Sequence, residues 1–215
     1  MTSSLHRLYS FRRCPYAMRA RLGLLFAELQ VELREIILKN KPAQMLAISP
    51  KGTVPVLQLF DGVVIEESRE IMVWALEQQD PQGLLDAKVL HQAYALIEQN
   101  DNEFKHWLDR YKYADRHLEM TQSEYRQRGE AFLQVLEDLL TKSPFLLADS
   151  ATIADIGIVP FVRQFAHVDR DVFYTLPYPN LQQWLKHWLE HSFFLKAMTK
   201  FQPWQEGDDV VVFPS

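Results

Sequence analysis

The sequence has almost no cysteine and no long apolar run. Cys14 is the only cysteine in 215 residues, so the chain cannot form an internal disulfide, which suits a reducing compartment. No apolar stretch approaches the roughly 20 residues that a helix needs to cross a bilayer, and no charged and apolar leader opens the chain. We therefore expect a cytoplasmic protein that does not insert into a membrane.

The chain also lacks internal repeats, low-complexity segments and a positive net charge. A net charge of −5 gives no general attraction for nucleic acid, so nucleic acid is not an expected partner. With 47 % apolar and 24 % charged residues, the composition is that of a globular protein with one large or two small domains. Positive charge is concentrated in a cluster that we interpret as a site for a small anion: Arg7, Arg12, Arg13, Arg19 and Arg21.

Cys14 lies where a predicted strand turns into a predicted helix. Residues 5–9 have strand character, and the apolar residues over 15–29 recur at the spacing of one helical face. Pro15 suits the first helical position, which places Cys14 at or next to the N-cap, near the unpaired amides of the first turn. The helix start and the neighbouring arginines favour the thiolate and so predict a nucleophile; the alternative is a small, inert, buried residue.

The remainder of the first 80 residues alternates strands and helices. A second strand over 31–38 completes a βαβ unit with a parallel pair, and a short helix over 43–48 follows. The Asp61-Gly62 pair predicts a β-hairpin turn between two further short strands, the first of which starts at Pro55. A helix then opens at Glu66-Glu67-Ser68 and runs to about Gln79; these three residues also suit simple capping. Residues 80–83 break the pattern.

After this break the chain is predicted to be helical. Thr152 and Asp155 have the spacing of a reciprocal cap, here with Asp in place of the usual Glu or Gln. These two residues open a largely apolar helix, which we predict to be the buried centre of an all-α domain. Pro160 lies inside this helix and is expected to bend it. The predicted helices cover residues 88–112, 122–141, 153–165, a segment capped by Asn180, and residues 192–200.

Four motifs, in this order and with these gaps, resemble the cytosolic glutathione transferases, and among them the cysteine-type, omega-like members. They are Cys14-Pro15-Tyr16-Ala17, Lys39-Asn40-Lys41-Pro42, Val54-Pro55-Val56-Leu57 and Glu67-Ser68. The resemblance implies an α/β plus all-α architecture: a thioredoxin-like N-terminal domain over 1–80, a linker over 81–87 and a helical C-terminal domain over 88–215. It also implies a homodimer.

The resemblance further implies a glutathione-dependent thiol transferase or reductase. Cys14 would form a mixed disulfide with glutathione and reduce disulfides, dehydroascorbate or glutathionyl ketones. A cis-Pro55 would leave the Val54 backbone to pair with the cysteinyl part of glutathione. Glu67 and Ser68 would hold its γ-glutamyl end, and Lys41 its glycyl carboxylate. Glutathione is thus the expected co-substrate, with a small electrophile or disulfide as its partner.

Some assignments remain open. A co-substrate pocket is expected to include Phe11, Phe104, Trp107 and Tyr111, although an aromatic stripe is also typical of a helical core. Tyr9 or Ser10 would activate glutathione if the protein were a conjugating enzyme, and a non-catalytic binding protein with this fold is a further alternative. His187 and His191 match a zinc-binding spacing; we expect no metal there because no third ligand is evident.

Overall fold

The computed structural model describes residues 5–215, which divide into two compact units. The first unit contains the described residues up to Gln82 together with Ser192–Ser215, and the second is Gly83–His191. The helical domain expected over 88–215 differs from this division, which groups Ser192–Ser215 with the first unit. Val212–Phe213 forms a strand that joins the sheet of the first unit, a long-range pairing that local sequence patterns do not reveal.

Over residues 5–215, one mixed sheet of five strands organises the first unit. The strands are β1 His6–Ser10, β2 Val31–Glu35, β3 Val56–Gln58, β4 Val64–Ile65 and β5 Val212–Phe213. They lie in the order β4-β3-β1-β2-β5. Strands β1 and β2 are parallel, with His6 opposite Val31, whereas the other neighbouring pairs are antiparallel. The predicted βαβ unit, the hairpin and the thioredoxin-like architecture are confirmed.

Three helices pack in the N-terminal part of this unit: α1 Pro15–Phe26, α2 Ala43–Ile48 and α3 Ser68–Gln78. Helix α1 is buried on nearly all sides, and its backbone lies close to that of α3 at Gly23. A Cβ atom on Gly23 would lie 2.7 Å from the Met72 Cα, so only glycine allows this approach. The position of Cys14 at the start of α1 is thereby fixed by packing of the whole helix.

The second unit is helical, as predicted. Its helices are α4 Leu90–Gln99, α5 Lys105–Lys112, α6 Gln122–Leu140, α7 Ile153–Ala166, α8 Arg170–Thr175 and α9 Pro179–Glu190. The single helix expected over 88–112 is interrupted by a π-helical turn, Asn100–Phe104. Helix α8 was not predicted. Asn180 does not cap α9, which begins at Pro179; its backbone and side-chain N–H groups donate to Glu137 instead.

The reciprocal cap at the start of α7 is confirmed. The Thr152 backbone and hydroxyl donate to the Asp155 carboxylate, while the Thr152 hydroxyl accepts a bond from the Ala154 amide. Asp155 is fully buried and also accepts bonds from the Leu146 amide and the Trp184 indole. One carboxylate therefore joins the α7 start to two other segments. After α9 the chain returns to the first unit as helix α10, Ser192–Ala197.

Candidate active site

Cys14 occupies the N-cap of α1, as the sequence predicts. Its backbone is extended, with φ −81° and ψ 124°, and Pro15 takes the first helical position. The Cys14 amide donates to the Phe11 carbonyl at 2.9 Å, and the Cys14 carbonyl accepts the bond from Met18 at 2.9 Å. The side chain is partly exposed at the end of the helix where the N–H dipoles point outward. This is a position where a thiolate is stabilised.

The loop before β3 contributes a polar contact to this sulfur. The Cys14 thiol donates a weak bond to the Val54 carbonyl oxygen, which lies 3.7 Å from Sγ. The Val54–Pro55 peptide bond is cis, and Pro55 is buried directly before β3. The structure thus brings together Cys14, Val54 and Pro55, three of the residues that the sequence assigns to one site.

The start of α3 supplies an exposed carboxylate. Glu67 is the N-cap residue of α3, but its side chain makes no capping hydrogen bond; it forms an ion pair with Lys51. The hydrogen bond from Lys51 to Glu67 is the main cause that raises the pKa of the Lys51 ammonium. Capping therefore does not explain Glu67. Sequence reasoning missed Lys51, although its position in the loop before Val54 was a usable signal.

Ser68 is buried at the first helical position of α3. Its hydroxyl accepts a bond from Arg19 Nη1 at 3.4 Å, and Arg19 is itself fully buried in α1. This contact links the start of α3, where Glu67 and Ser68 lie, to the helix that carries Cys14. The sequence placed Arg19 in the arginine cluster and did not predict this contact with Ser68.

Lys41 lies beside the loop that precedes Val54. Gly52, with φ +62°, lies in this loop, and a Cβ atom added there would come within 3.7 Å of the Lys41 ammonium nitrogen. The positive φ, and the Leu46 Cδ2 atom only 3.1 Å from such a Cβ, favour glycine at position 52. Lys41 and Lys51 consequently lie near the same short loop, and Lys51 is the one paired with Glu67.

The predicted arginine cluster is not a common anion site. Arg7 pairs with Glu32 and also donates to Gln58. Arg21 is fully buried and forms an ion pair with Glu35, and burial lowers the pKa of its guanidinium against the opposing effect of that carboxylate. Together with the Arg19 contact to Ser68, these pairings show that three of the five arginines already have side-chain partners within the unit.

Tyr9 and Ser10 are both fully buried in β1. The Tyr9 hydroxyl accepts a bond from Arg34 Nη1 at 3.1 Å, and the Ser10 hydroxyl accepts one from Arg21 Nε at 2.8 Å. Neither hydroxyl is accessible to a thiol from solution. The structure therefore contradicts the alternative in which Tyr9 or Ser10 activates glutathione for conjugation.

The aromatic residues assigned to a co-substrate pocket lie in both units. Phe11 lies on the loop before Cys14, where the Arg13 guanidinium carbon is 5.5 Å from its ring centroid. Phe104 and Tyr111 are buried in the second unit, with ring centroids 5.6 and 4.9 Å from that of Phe165. Trp107 is half-buried on the same helix as Tyr111. Phe104 and Tyr111 thus form part of a core, and the assignment of these residues to a pocket stays a prediction.

Across residues 5–215, no group of three His, Cys, Asp or Glu side chains lies close enough to hold a metal ion. His187 and His191 have ring centroids 6.0 Å apart, and their neighbours include aromatic rings such as Trp188. No helix in the described part of the chain has the length and apolar character needed to cross a bilayer.

Comparison with known proteins gives matches to both units. Residues 8–83 match the family model "Glutathione S-transferase, N-terminal domain", and residues 105–187 match "Glutathione S-transferase, C-terminal domain". Glutathione S-transferase omega-1 of Sus scrofa is 42 % identical over 64 residues, which are 30 % of this chain and 27 % of that protein. A probable cytosolic glutathione S-transferase, DHAR1, of Oryza sativa is 35 % identical over 68 residues, which are 32 % of each chain.

The matched stretches thus span about a third or less of these two relatives. A crystal structure of a glutathione transferase from Pseudomonas putida, with one glutathione disulfide bound per subunit, covers 92 % of each chain with a TM-score of 0.80 and 18 % identity. That likeness extends the agreement in fold to nearly the whole chain. With family models matched in both units, the thiol of Cys14 at the start of α1 and the cis-Pro55 beside it, the chain belongs to the glutathione S-transferase family.

Proposed function

We propose that this protein is a glutathione-dependent thiol transferase, or reductase, in which Cys14 is the nucleophile. The observation that carries the proposal is the thiol at the N-terminus of α1, partly exposed and 3.7 Å from the Val54 carbonyl oxygen. A thiolate in this position attacks a disulfide sulfur, and a hydroxyl-based mechanism lacks an accessible hydroxyl in β1.

The reaction proceeds in two exchange steps. The Cys14 thiolate attacks the glutathione sulfur of a mixed disulfide, the bond between Cys14 and glutathione forms, and the other thiol leaves with the electron pair. The thiolate of a second glutathione then attacks the glutathione sulfur of this intermediate, which releases glutathione disulfide and restores Cys14. One mixed disulfide and one glutathione thus yield one thiol and one glutathione disulfide. Dehydroascorbate and glutathionyl ketones are the alternative electrophiles in this proposal.

The surrounding residues are proposed to hold glutathione. The Val54 backbone would pair with its cysteinyl part as an added strand, and Lys41 would bind its glycyl carboxylate. Ser68 and the α3 amides would bind the carboxylate of the γ-glutamyl residue. Glu67 would accept hydrogen bonds from the ammonium group of the same residue. Glu67 already pairs with Lys51, but a carboxylate has about four acceptor sites, so it can serve both cations.

The proposal is tested by replacing the one sulfur that it requires. Cys14→Ser keeps the size of the side chain, and we expect it to reduce turnover of a glutathione mixed disulfide to the uncatalysed rate. Mass spectrometry after treatment with glutathione disulfide should show one glutathione adduct on the natural protein and none on the variant. Full activity of Cys14→Ser would refute the proposal.

Retention on immobilised glutathione separates binding from catalysis. Cys14→Ser should still be retained, because the residues proposed to bind glutathione are unchanged. Glu67→Gln should raise the KM for glutathione with a smaller effect on kcat, since its loss removes a binding contact. If the natural protein were retained but neither formed the adduct nor turned over any disulfide, a non-catalytic binding protein would be the better description.

The proposal also covers the oligomeric state and the cellular compartment of the protein. We expect a homodimer in the cytoplasm, on the strength of the family membership. Sedimentation equilibrium of the purified chain tests the first expectation, and a monomer over the whole concentration range would contradict it.

A further inference from the structure

A groove in the first unit lies beside the loop that leads to Cys14. It has a volume of about 560 Å³, which lies within the range of small-molecule sites. Its lining residues come from three segments, namely the loop before α1, the end of β2 with the turn after it, and the chain after α10: Phe11, Arg12, Arg13, Glu35, Ile36, Ile37, Leu38, Lys39, Lys200, Phe201 and Pro203. All of them belong to the first unit.

The charge of this groove is strongly one-sided. Arg12, Arg13, Lys39 and Lys200 contribute four cations, and Glu35 is the only acidic lining residue. That carboxylate is buried and is already bound by the Arg21 guanidinium and by the Arg12 amide at 2.7 Å. The Glu35 carboxylate therefore does not neutralise the exposed cations of the groove.

The cations themselves have few partners. Across residues 5–215, no carboxylate lies within ion-pair distance of Arg13, Lys39 or Lys200, and all three side chains are exposed. Among the same residues, the Arg12 guanidinium donates only to the Met198 carbonyl, at 3.4 Å. The groove consequently presents positive charge that the described protein does not neutralise.

The walls between these charges are apolar. Ile37 and Leu38 lie on the turn after β2 and remain 49 % and 43 % exposed, and Phe11, Phe201 and Pro203 complete the walls. Apolar side chains held open beside unpaired cations complement a ligand that has an apolar body and a negative group. A bare inorganic anion would leave the apolar walls in contact with water.

The position of the groove relates it to Cys14. Phe11 accepts the hydrogen bond of the Cys14 amide, and Arg13 is the residue before Cys14. We propose that this groove receives the part of the co-substrate that is not glutathione, and that its cations select a co-substrate with a carboxylate or sulfonate on an apolar, ring-sized body. This inference rests on the proposed function, because it concerns the thiol that leaves when Cys14 attacks.

In this reaction the leaving thiol develops negative charge on its sulfur as the bond between the two sulfurs breaks. The leaving group is attracted electrostatically by Lys39, Lys200 and Arg13. This stabilisation is largest when the leaving group carries a second negative charge besides the one on sulfur. Glutathione is common to every such substrate, so selection by the groove appears in the comparison of leaving groups and not in the KM for glutathione.

The test uses three mixed disulfides of glutathione, with 4-mercaptobenzoate, 4-(hydroxymethyl)thiophenol and 4-(aminomethyl)thiophenol. The variant is Lys39→Gln/Lys200→Gln, and the matched control is Lys88→Gln/Lys142→Gln, which makes the same change in net charge at two exposed lysines outside the groove lining. Relative to the natural protein, we expect the groove variant to lower kcat/KM about fivefold for the benzoate disulfide only, as the loss of two exposed charge contacts predicts.

Comparing each variant with the natural protein on the same substrate cancels the different pKa values of the leaving thiols. The control should leave all three substrates unchanged. Equal losses on the three disulfides in the groove variant would overturn the inference, as would an unchanged rate on the benzoate disulfide. The preference should also weaken as salt is added.

A second measurement keeps the inference separate from the proposed chemistry. S-(4-carboxybenzyl)glutathione and S-benzylglutathione are thioethers that cannot exchange with Cys14, and calorimetry gives their Kd values. We expect the natural protein to bind the carboxylated thioether about fivefold more tightly than S-benzylglutathione. The groove variant should bind the two thioethers with equal Kd values. Equal Kd values in the natural protein would refute the groove's selectivity even if disulfides are turned over. A clear preference without any turnover would refute the proposed function alone.

Discussion

Replacing Arg21 by methionine tests whether the buried ion pair beneath the Cys14 loop stabilises the first unit. Arg21 lies in α1 with no exposed surface. It pairs with Glu35 and donates to the Ser10 hydroxyl at 2.8 Å and to the Ala197 carbonyl at 3.1 Å. One guanidinium thus joins the ends of β1, β2 and α10. Methionine keeps most of the length of the side chain but leaves the Glu35 carboxylate buried without its cation.

Removal of one partner from a buried pair costs about 3–5 kcal/mol, because the remaining charge is desolvated without compensation. We therefore expect Arg21→Met to lower the free energy of unfolding of the first unit by about 4 kcal/mol, a large part of the stability of an ordinary domain. In the double variant Arg21→Met/Glu35→Met no carboxylate is stranded. We expect its loss to be only about 2 kcal/mol, since the Arg12 amide and the Ser10 hydroxyl still lose partners.

Urea denaturation gives these free energies, and amide hydrogen exchange in β1 and β2 isolates the first unit from the second. The interaction energy from the cycle of the two single variants and the double variant is the decisive quantity. A loss below about 1 kcal/mol in Arg21→Met, or a double variant whose loss equals the sum of the single losses, would refute the reasoning.

Three further predictions concern other positions. Asp155→Ala should destabilise the second unit by about 3 kcal/mol in urea, because it strands buried donors that include the Trp184 indole; a loss below that of an ordinary exposed cap would contradict this. Gly23→Ala should cost about 1–3 kcal/mol by forcing α1 away from Met72, whose Cα would lie 2.7 Å from the new Cβ, and an unchanged melting temperature would disprove it. Burial chiefly lowers the pKa of His167 to about 4, so the unfolded state binds more protons between pH 6.5 and 4 and stability should fall as the pH falls through this window. His167→Gln should flatten that part of the curve in urea titrations at several pH values, and an unaltered slope would argue against it.

The parts of the fold that the sequence predicts are those whose causes lie within a few residues of each other. Pro15 next to Cys14 locates the start of α1, Asp61-Gly62 locates the hairpin, and Thr152 with Asp155 locates the start of α7. In each case neighbouring residues decide the backbone conformation, through a fixed φ, a turn preference or a reciprocal hydrogen bond. Local chemistry was sufficient there.

The failures come from contacts between residues far apart in the chain. Strand β5 joins β2 across more than half of the sequence, and the pairing of Lys51 with Glu67 follows from the folded loop and not from a spacing rule. The π-helical turn Asn100–Phe104 is flanked by residues with α-helical backbone angles, so no breaker residue marks it in the sequence. Such features depend on tertiary packing, which local secondary-structure propensities do not predict.

The arginines near Cys14 show why charge density in a sequence is a weak guide to an anion site. A charge attracts a ligand only to the extent that the protein has not already neutralised it, and Arg21 is neutralised by Glu35 in the interior. Lys39 and Lys200, which the sequence did not associate with one another, line the groove without a carboxylate partner among the described residues. Added salt should therefore weaken selection by the groove, where charges are exposed, and should leave the stabilisation by the buried Arg21 nearly unchanged. A salt series on the benzoate disulfide and on the unfolding of Arg21→Met would separate these two uses of positive charge.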